Sequence, residues 1–264
     1  MPSHAKSKTK SHKNHAHKSR AFKRSSVAQK TCLIFGLHSV SAALQNPNRV
    51  CKQLQVTQNA LQKLEKVLSS SSVAVEIVES RDLDRQLGAD VIHQGVLLKA
   101  DFLDILDLED LHPSSHSRVL VLDQITDPHN VGAILRTAAA FETQALVMTQ
   151  RHSPQLSGVL AKTASGGLEH VPICLVSNLA RALEQLGKKE YWRIGLDSDA
   201  EINLEDQDLE RPVALVLGAE HKGIRRLTQE NCDQICKIKT AGALKSLNVS
   251  NAAAIALHTT YCAS

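Results

Sequence analysis

Aromatic residues are scarce: one Trp, two Tyr and four Phe make up 3% of 264 residues. The core must therefore be aliphatic, and broad base-stacking platforms, which need several exposed rings, are disfavoured. No Cys-x-x-Cys pair occurs among Cys32, Cys51, Cys174, Cys232, Cys236 and Cys262. They read as reduced, mostly buried thiols of an intracellular protein, with no disulfide framework. The 13 His show no ligand-like spacing and four of them lie before residue 31, so no metal site is expected. No apolar run approaches the length of a membrane span, and no apolar stretch comes after the basic start. A mitochondrial presequence would be Arg-rich and amphipathic, whereas this start is rich in Lys and His; the expected location is the cytoplasm. The Gly-x-Gly-x-x-Gly fingerprint is also missing, together with its acidic ribose partner, which disfavours an NAD-dependent oxidoreductase.

Acidic residues are absent from one stretch in particular. Residues 1–30 carry nine Lys and Arg and no Asp or Glu, leaving 22 basic against 27 acidic residues afterwards. A disordered basic tail is expected there, attached to a net negative body. Such an arm attracts nucleic acid; its plainer alternative is a solubilising tail.

Beyond the tail the pattern is regular. Residues 31–107 read as a small α/β domain: TCLIFGLHSV leads into a helix, VCKQLQVT is a strand and ALQKLEKVLSS a helix. VAVEIVES is a strand, and the short helix RDLDRQLG precedes HQGVLLKAD. Residues 108–118 have linker composition, acidic and polar with Pro and Ser. From 119 to 264, continuous apolar strands alternate with helices, the pattern of a parallel sheet covered on both faces.

Three segments of the second half carry the chemistry. In DQITDPHNVGAILRTAAAF a buried strand enters a Pro-bearing turn and then a helix with one cation, Arg136. Free N–H groups at that helix start, Asn130 and the guanidinium make an anion-handling site at the carboxyl end of a strand. A guanidinium on a mostly apolar helix needs a carboxylate or phosphate, and an ion pair between Arg136 and Glu220 is the alternative. In GAEHKG, Glu220 stands where a dinucleotide site would need glycine; it reads as a helix N-terminal charge or as a group facing a cationic or hydroxyl-bearing ligand. Gly218 and Gly223 are turn glycines or points of close backbone approach to a ligand. In SLNVS, Ser246, Asn248 and Ser250 precede an apolar helix, and any one of them could be only its N-cap.

Taken in order, NxGxxxR, GxExxG and SLNVS resemble the three motifs of the SpoU (TrmH-type) RNA ribose 2′-O-methyltransferases. GLHSV and HQGV resemble markers of that family's amino-terminal substrate-binding domain, so the resemblance spans nearly all of residues 31–262. It implies a deep trefoil knot in the catalytic domain, S-adenosylmethionine bound in the knot and a homodimer, to which the lack of a long apolar run adds the expectation of no membrane partner. Carried over by motif, Asn130 and Arg136 would face the reacting ribose, with Glu220, Ser246 and Asn248 completing the site. Gly218, Ile238 and Leu247 would hold the adenosyl moiety, largely through backbone groups. The family usually has proline after the position of Ile238, where this chain has Lys239. The two-domain layout is closest to the bacterial enzymes that methylate a guanosine in 23S rRNA. The competing expectations are a tRNA ribose methyltransferase and a catalytically silent RNA-binding ribosome-assembly factor.

Overall fold

The computed structural model describes residues 31–220, 222–243 and 246–263; the expected basic tail, 1–30, lies outside the described residues. The first half runs β1 (Thr31–Phe35), α1 (Leu37–Gln45), β2 (Cys51–Val56), α2 (Gln58–Leu68), β3 (Ala74–Ile77), α3 (Ser80–Leu87) and β4 (Val96–Asp101). Its sheet has the order β1-β4-β2-β3, with β4 antiparallel to both neighbours and β3 parallel to β2. The helices obey their local sequence: α2 buries Ala60 and Leu64 one turn apart, and Glu79 with Asp82 closes a reciprocal cap on α3.

The second half runs β5 (Arg118–Asp123), α4 (Pro128–Ala140), β6 (Ala145–Thr149), α5 (Val159–Ala164), β7 (Ile173–Val176), α6 (Leu179–Lys188) and β8 (Trp192–Leu196). It continues through β9 (Ile202–Asn203), β10 (Val213–Gly218), α7 (Arg226–Gln229) and β11 (Gln234–Lys237) to α8 (Val249–Cys262). All its strand pairings are parallel, in the order β7-β6-β5-β10-β8-β11-β9. The expected α/β architecture with a parallel sheet is therefore present. The buried strands β5, β6 and β10, apolar through their middles, form its centre, as strands covered on both faces should. The pleat sends Leu120 and Leu122 to one face and Val119 and Val121 to the other.

Two features depart from what composition suggests. The core under Leu120 and Ile134 is continuous with Cys32, Ile34, Leu54 and Leu98 of the small sheet, so both halves share one hydrophobic mass. The acidic connector is also anchored: Leu108 and Leu111 are buried against Leu179 and Leu183. Arg118 belongs to β5, one residue before the expected strand start. Its buried guanidinium donates to the carbonyls of Leu209, Arg211 and Thr260 at 3.0, 3.0 and 2.7 Å, tying β5 to the end of α8. The two-residue strand β9 is too short to leave an apolar signature.

Candidate functional site

The carboxyl ends of β5, β8 and β10 lie side by side, because those strands are parallel neighbours. Asp123, at the end of β5, is completely buried. It accepts from the backbone N–H of Arg225 at 3.0 Å and from its Nε at 2.7 Å, which fastens the chain after β10 to the end of β5. Sequence reasoning assigned this pair no role; an acid closing the apolar run VLVLD was the available signal. The same fastening explains Gly218. A Cβ there would stand 2.0 Å from the carbonyl carbon of Gly223, so the close approach is backbone on backbone. Gly223, at φ +64°, makes the return turn.

Asp127 caps α4 by accepting from His129 N at 2.9 Å, with Pro128 as the first helical residue. Asn130 comes within the first turn. Asn248 caps α8: its Oδ1 accepts from Ser250 N at 2.9 Å. Its Nδ2 remains free to donate to Glu220 Oε1 at 2.6 Å and to Asn130 Oδ1 at 3.0 Å, while Asn130 Nδ2 donates to the same Glu220 oxygen at 3.3 Å. Both readings of Asn248 are thus true at once, since one end of the amide caps and the other reaches the carboxylate. Two helix N-termini converge on Glu220, and their dipoles favour its negative charge.

A cavity of about 400 Å³ opens beside this cluster. Its lining includes five of the expected residues: Gly218, Glu220, Ile238, Ser246 and Leu247. Asp197 and Asp199, which come after β8 and which sequence reasoning did not single out, line it as well. A lining that mixes apolar side chains with three carboxylates and one ammonium, Lys222, suits a ligand that is part apolar and part cationic, which is the chemistry of an adenosyl sulfonium. Lys239 is exposed and stands outside the lining.

Arg136 is elsewhere. It is exposed, and among the described residues it forms no ion pair, so the alternative of pairing with Glu220 is overturned. Six residues along a helix amount to about 9 Å of rise and about 240° of rotation, which turns Arg136 away from Asn130. Its neighbour is the turn after α5, where a Cβ on Gly167 would lie 3.0 Å from Arg136 Cα.

The amino-terminal motifs meet each other against α5. Gln94 of HQGV accepts from Leu37 N at 2.9 Å and so caps α1, whose own cap residue is Gly36. His93 is buried and structural: Nδ1 accepts from Gly95 N at 3.0 Å, which leaves Nε2 to face Asp84 at 3.0 Å. The seam between halves holds a buried ion pair. Arg49 meets Glu169 through two nitrogens, at 2.5 and 3.0 Å, with side chains only 1% and 3% exposed.

Comparison with known proteins agrees with this geometry. Residues 117–258 match the SpoU rRNA Methylase family, and residues 33–105 match the RNA 2′-O ribose methyltransferase substrate-binding family. The chain is similar to the 23S rRNA (guanosine-2′-O-)-methyltransferase RlmB of Pseudomonas putida, 37% identical over 233 residues that cover 85% of this chain and 93% of that one. It is 39% identical to RlmB of Pasteurella multocida, with 85% and 95% covered. Among solved structures, the SpoU methyltransferase AviRb of Streptomyces viridochromogenes in complex with AdoMet superposes with a TM-score of 0.75 at 20% identity, over 88% of this chain and 90% of that one.

Proposed function

This chain belongs to the SpoU rRNA methylase family, and we propose that it methylates the 2′-hydroxyl of a guanosine in 23S rRNA, with S-adenosylmethionine as donor. The observation that carries the reading is the Asn130–Glu220–Asn248 cluster at the mouth of the cavity lined by Gly218, Ile238 and Leu247. S-adenosylmethionine, when bound, supplies an electrophilic methyl group on a cationic sulfur. Gly218, Ile238 and Leu247 would hold its adenosyl part, largely through backbone groups. Glu220, fixed by two amides, marks the side of the cavity where positive charge is favoured. Ser246 and Asn248 face the ribose together with Asn130. Positioning the nucleophile in line with the methyl group provides much of the acceleration.

Arg136 stabilises the oxygen as its proton leaves. A guanidinium holds its own protons, so it acts as an electrostatic partner of the alkoxide, and a neighbouring acceptor takes the ribose proton. Because Arg136 points away from Glu220 within one chain, the complete site is built by a homodimer, one protomer giving Arg136 and the other the Glu220 cluster. Exposed Ile255 and Tyr261 on α8 provide apolar surface for that association. The same family membership supports a deep trefoil knot in the methyltransferase domain. Residues 31–107 form the substrate-binding domain, 108–118 the connector and 119–264 the methyltransferase domain, and the protein works in the cytoplasm. Among the described residues no helix is long and apolar enough to cross a membrane.

The test is a map of ribose methylation in rRNA and tRNA from cells with and without the gene. Loss of one methylated guanosine in 23S rRNA is expected. Loss confined to tRNA would redirect the substrate, and an unchanged map with no cofactor binding by calorimetry would refute the activity.

A further inference from the structure

A second cleft, of about 300 Å³, lies between α1 and the turn after α5, and its lining includes His38, Ser41, Gln45, Ser165 and His170. We propose that it is an RNA subsite that seats a nucleotide flanking the one to be methylated. The subsite presupposes an RNA substrate, as the proposed methylation does, and holds that substrate at a point beyond the reacting ribose.

Its walls come from the two halves of the chain, so a ligand here is gripped by both. One wall is preformed. Glu169 is held by Arg49 and by Asn46 Nδ2 at 2.8 Å, and Arg49 also donates to Asp101 O at 2.8 Å. Gly166 packs on α1 so tightly that a Cβ would meet Ala42 Cβ at 2.9 Å. The same turn presses Gly167 against Leu135 O, where a Cβ would stand at 2.6 Å, and against Arg136. A nucleotide in the cleft therefore leaves the chain of RNA beside Arg136.

The charge pattern selects the ligand. His38, Lys162, His170 and Arg136 take part in no ion pair among the described residues. Lys162, on the last turn of α5 before Ser165, packs its Cγ 3.3 Å from the Cβ position of Gly36, the cap residue of α1. The one carboxylate in the lining, Glu169, is already neutralised by Arg49. On a body with more acidic than basic residues, a strip whose single acid is already paired is where phosphates are tolerated. The lining has no Phe, Tyr or Trp, so the base is read chiefly by hydrogen bonds from imidazole, hydroxyl and amide groups.

The test uses full-length protein and a 23S rRNA fragment that the wild type methylates. His38 and His170 are exposed, and His38→Glu/His170→Glu sets two carboxylates against the RNA without touching the core. The expected result is an RNA KM and a directly measured RNA Kd raised about tenfold or more, with kcat at saturating RNA and cofactor affinity unchanged. His38→Gln/His170→Gln keeps hydrogen-bonding groups and should recover most of the affinity. A double-glutamate variant within about twofold of wild type in both constants overturns the subsite. So does a loss that appears equally in cofactor affinity or melting temperature, because it would place the effect in the fold. A wild type that binds RNA but methylates none would refute the activity and leave the cleft testable by Kd alone.

Discussion

Arg49→Met should be among the most damaging single changes away from the reaction centre. The guanidinium meets Glu169 through Nε and Nη2 and Asp101 O through Nη1, all in a place where both charged side chains are almost wholly shielded from water. With methionine at 49, the Glu169 carboxylate stays buried with the Asn46 amide as its remaining partner, and the Asp101 carbonyl loses a donor. Removing one member of a buried pair costs about 3–5 kcal/mol, because the other charge is left uncompensated. For a chain of this size that corresponds to a drop in Tm of roughly 6–20 °C. Removing both charges has a different sign of logic. Arg49→Met/Glu169→Met leaves neither an unpaired charge nor its desolvation penalty, so most of the loss should return. Thermal and urea unfolding of wild type, both single variants and the double variant complete the cycle. If Arg49→Met lies within about 1 kcal/mol of wild type, or if the double variant is as unstable as the sum of the singles, the account of a desolvated, coupled pair is wrong.

Arg136→Ala should lower single-turnover methyl transfer by at least ~10²–10³, the value of one oxyanion-type donor, while melting temperature and cofactor binding stay unchanged because the side chain is exposed; near-normal turnover would remove Arg136 from the mechanism. Burial pushes the thiols of Cys174 and Cys232 up to about 12 from an ordinary 9.0. The unfolded chain then releases these protons first, so their contribution is full below about pH 9 and is lost as pH rises towards 12; unfolding at a series of pH values checks it, and flat stability from pH 9 to 11 would contradict it. Removing residues 1–30, with their nine cations, should shallow the log–log salt dependence of RNA affinity by roughly 4 if about six of them meet phosphates. Turnover at saturating RNA should hardly change, and an unchanged slope would make the tail a solubility device.

The features legible in the sequence were local ones. Apolar runs of four or five residues located β5, β6 and β10, and Asn248 stood at the start of the helix it caps. The hidden features depend on pairs far apart along the chain. Asn248 and Asn130 are 118 residues apart, and Arg49 and Glu169 are 120 apart, so neither contact leaves a local signature. Leu108 and Leu111 were masked by the acids around them, although two leucines three residues apart are enough to anchor a short turn. Gly218 carried a legible requirement for glycine with an illegible reason, because only the folded chain shows that the atom in the way belongs to Gly223.

The placement of Arg136 is set by how α4 is held, and that has a consequence for the reaction. The helix is gripped along its length: a Cβ on Gly132 would lie 2.6 Å from Thr163 Cβ on α5, and Gly167 abuts Leu135 farther along. Contacts this close leave α4 no freedom to slide or roll without displacing its neighbours. It is therefore a rigid rod with Asn130 at the cofactor cavity and Arg136 at the seam with the amino-terminal half, about 9 Å apart along its axis. In the proposed mechanism Asn130 faces the reacting ribose at its own protomer's cavity, whereas Arg136 serves the partner's, so the rod ties the two sites of a homodimer together. The two sites of the proposed homodimer can then be coupled through the orientation of α4 alone, with no rearrangement of the sheet, and the buried Arg49–Glu169 pair holds the seam against which Arg136 stands.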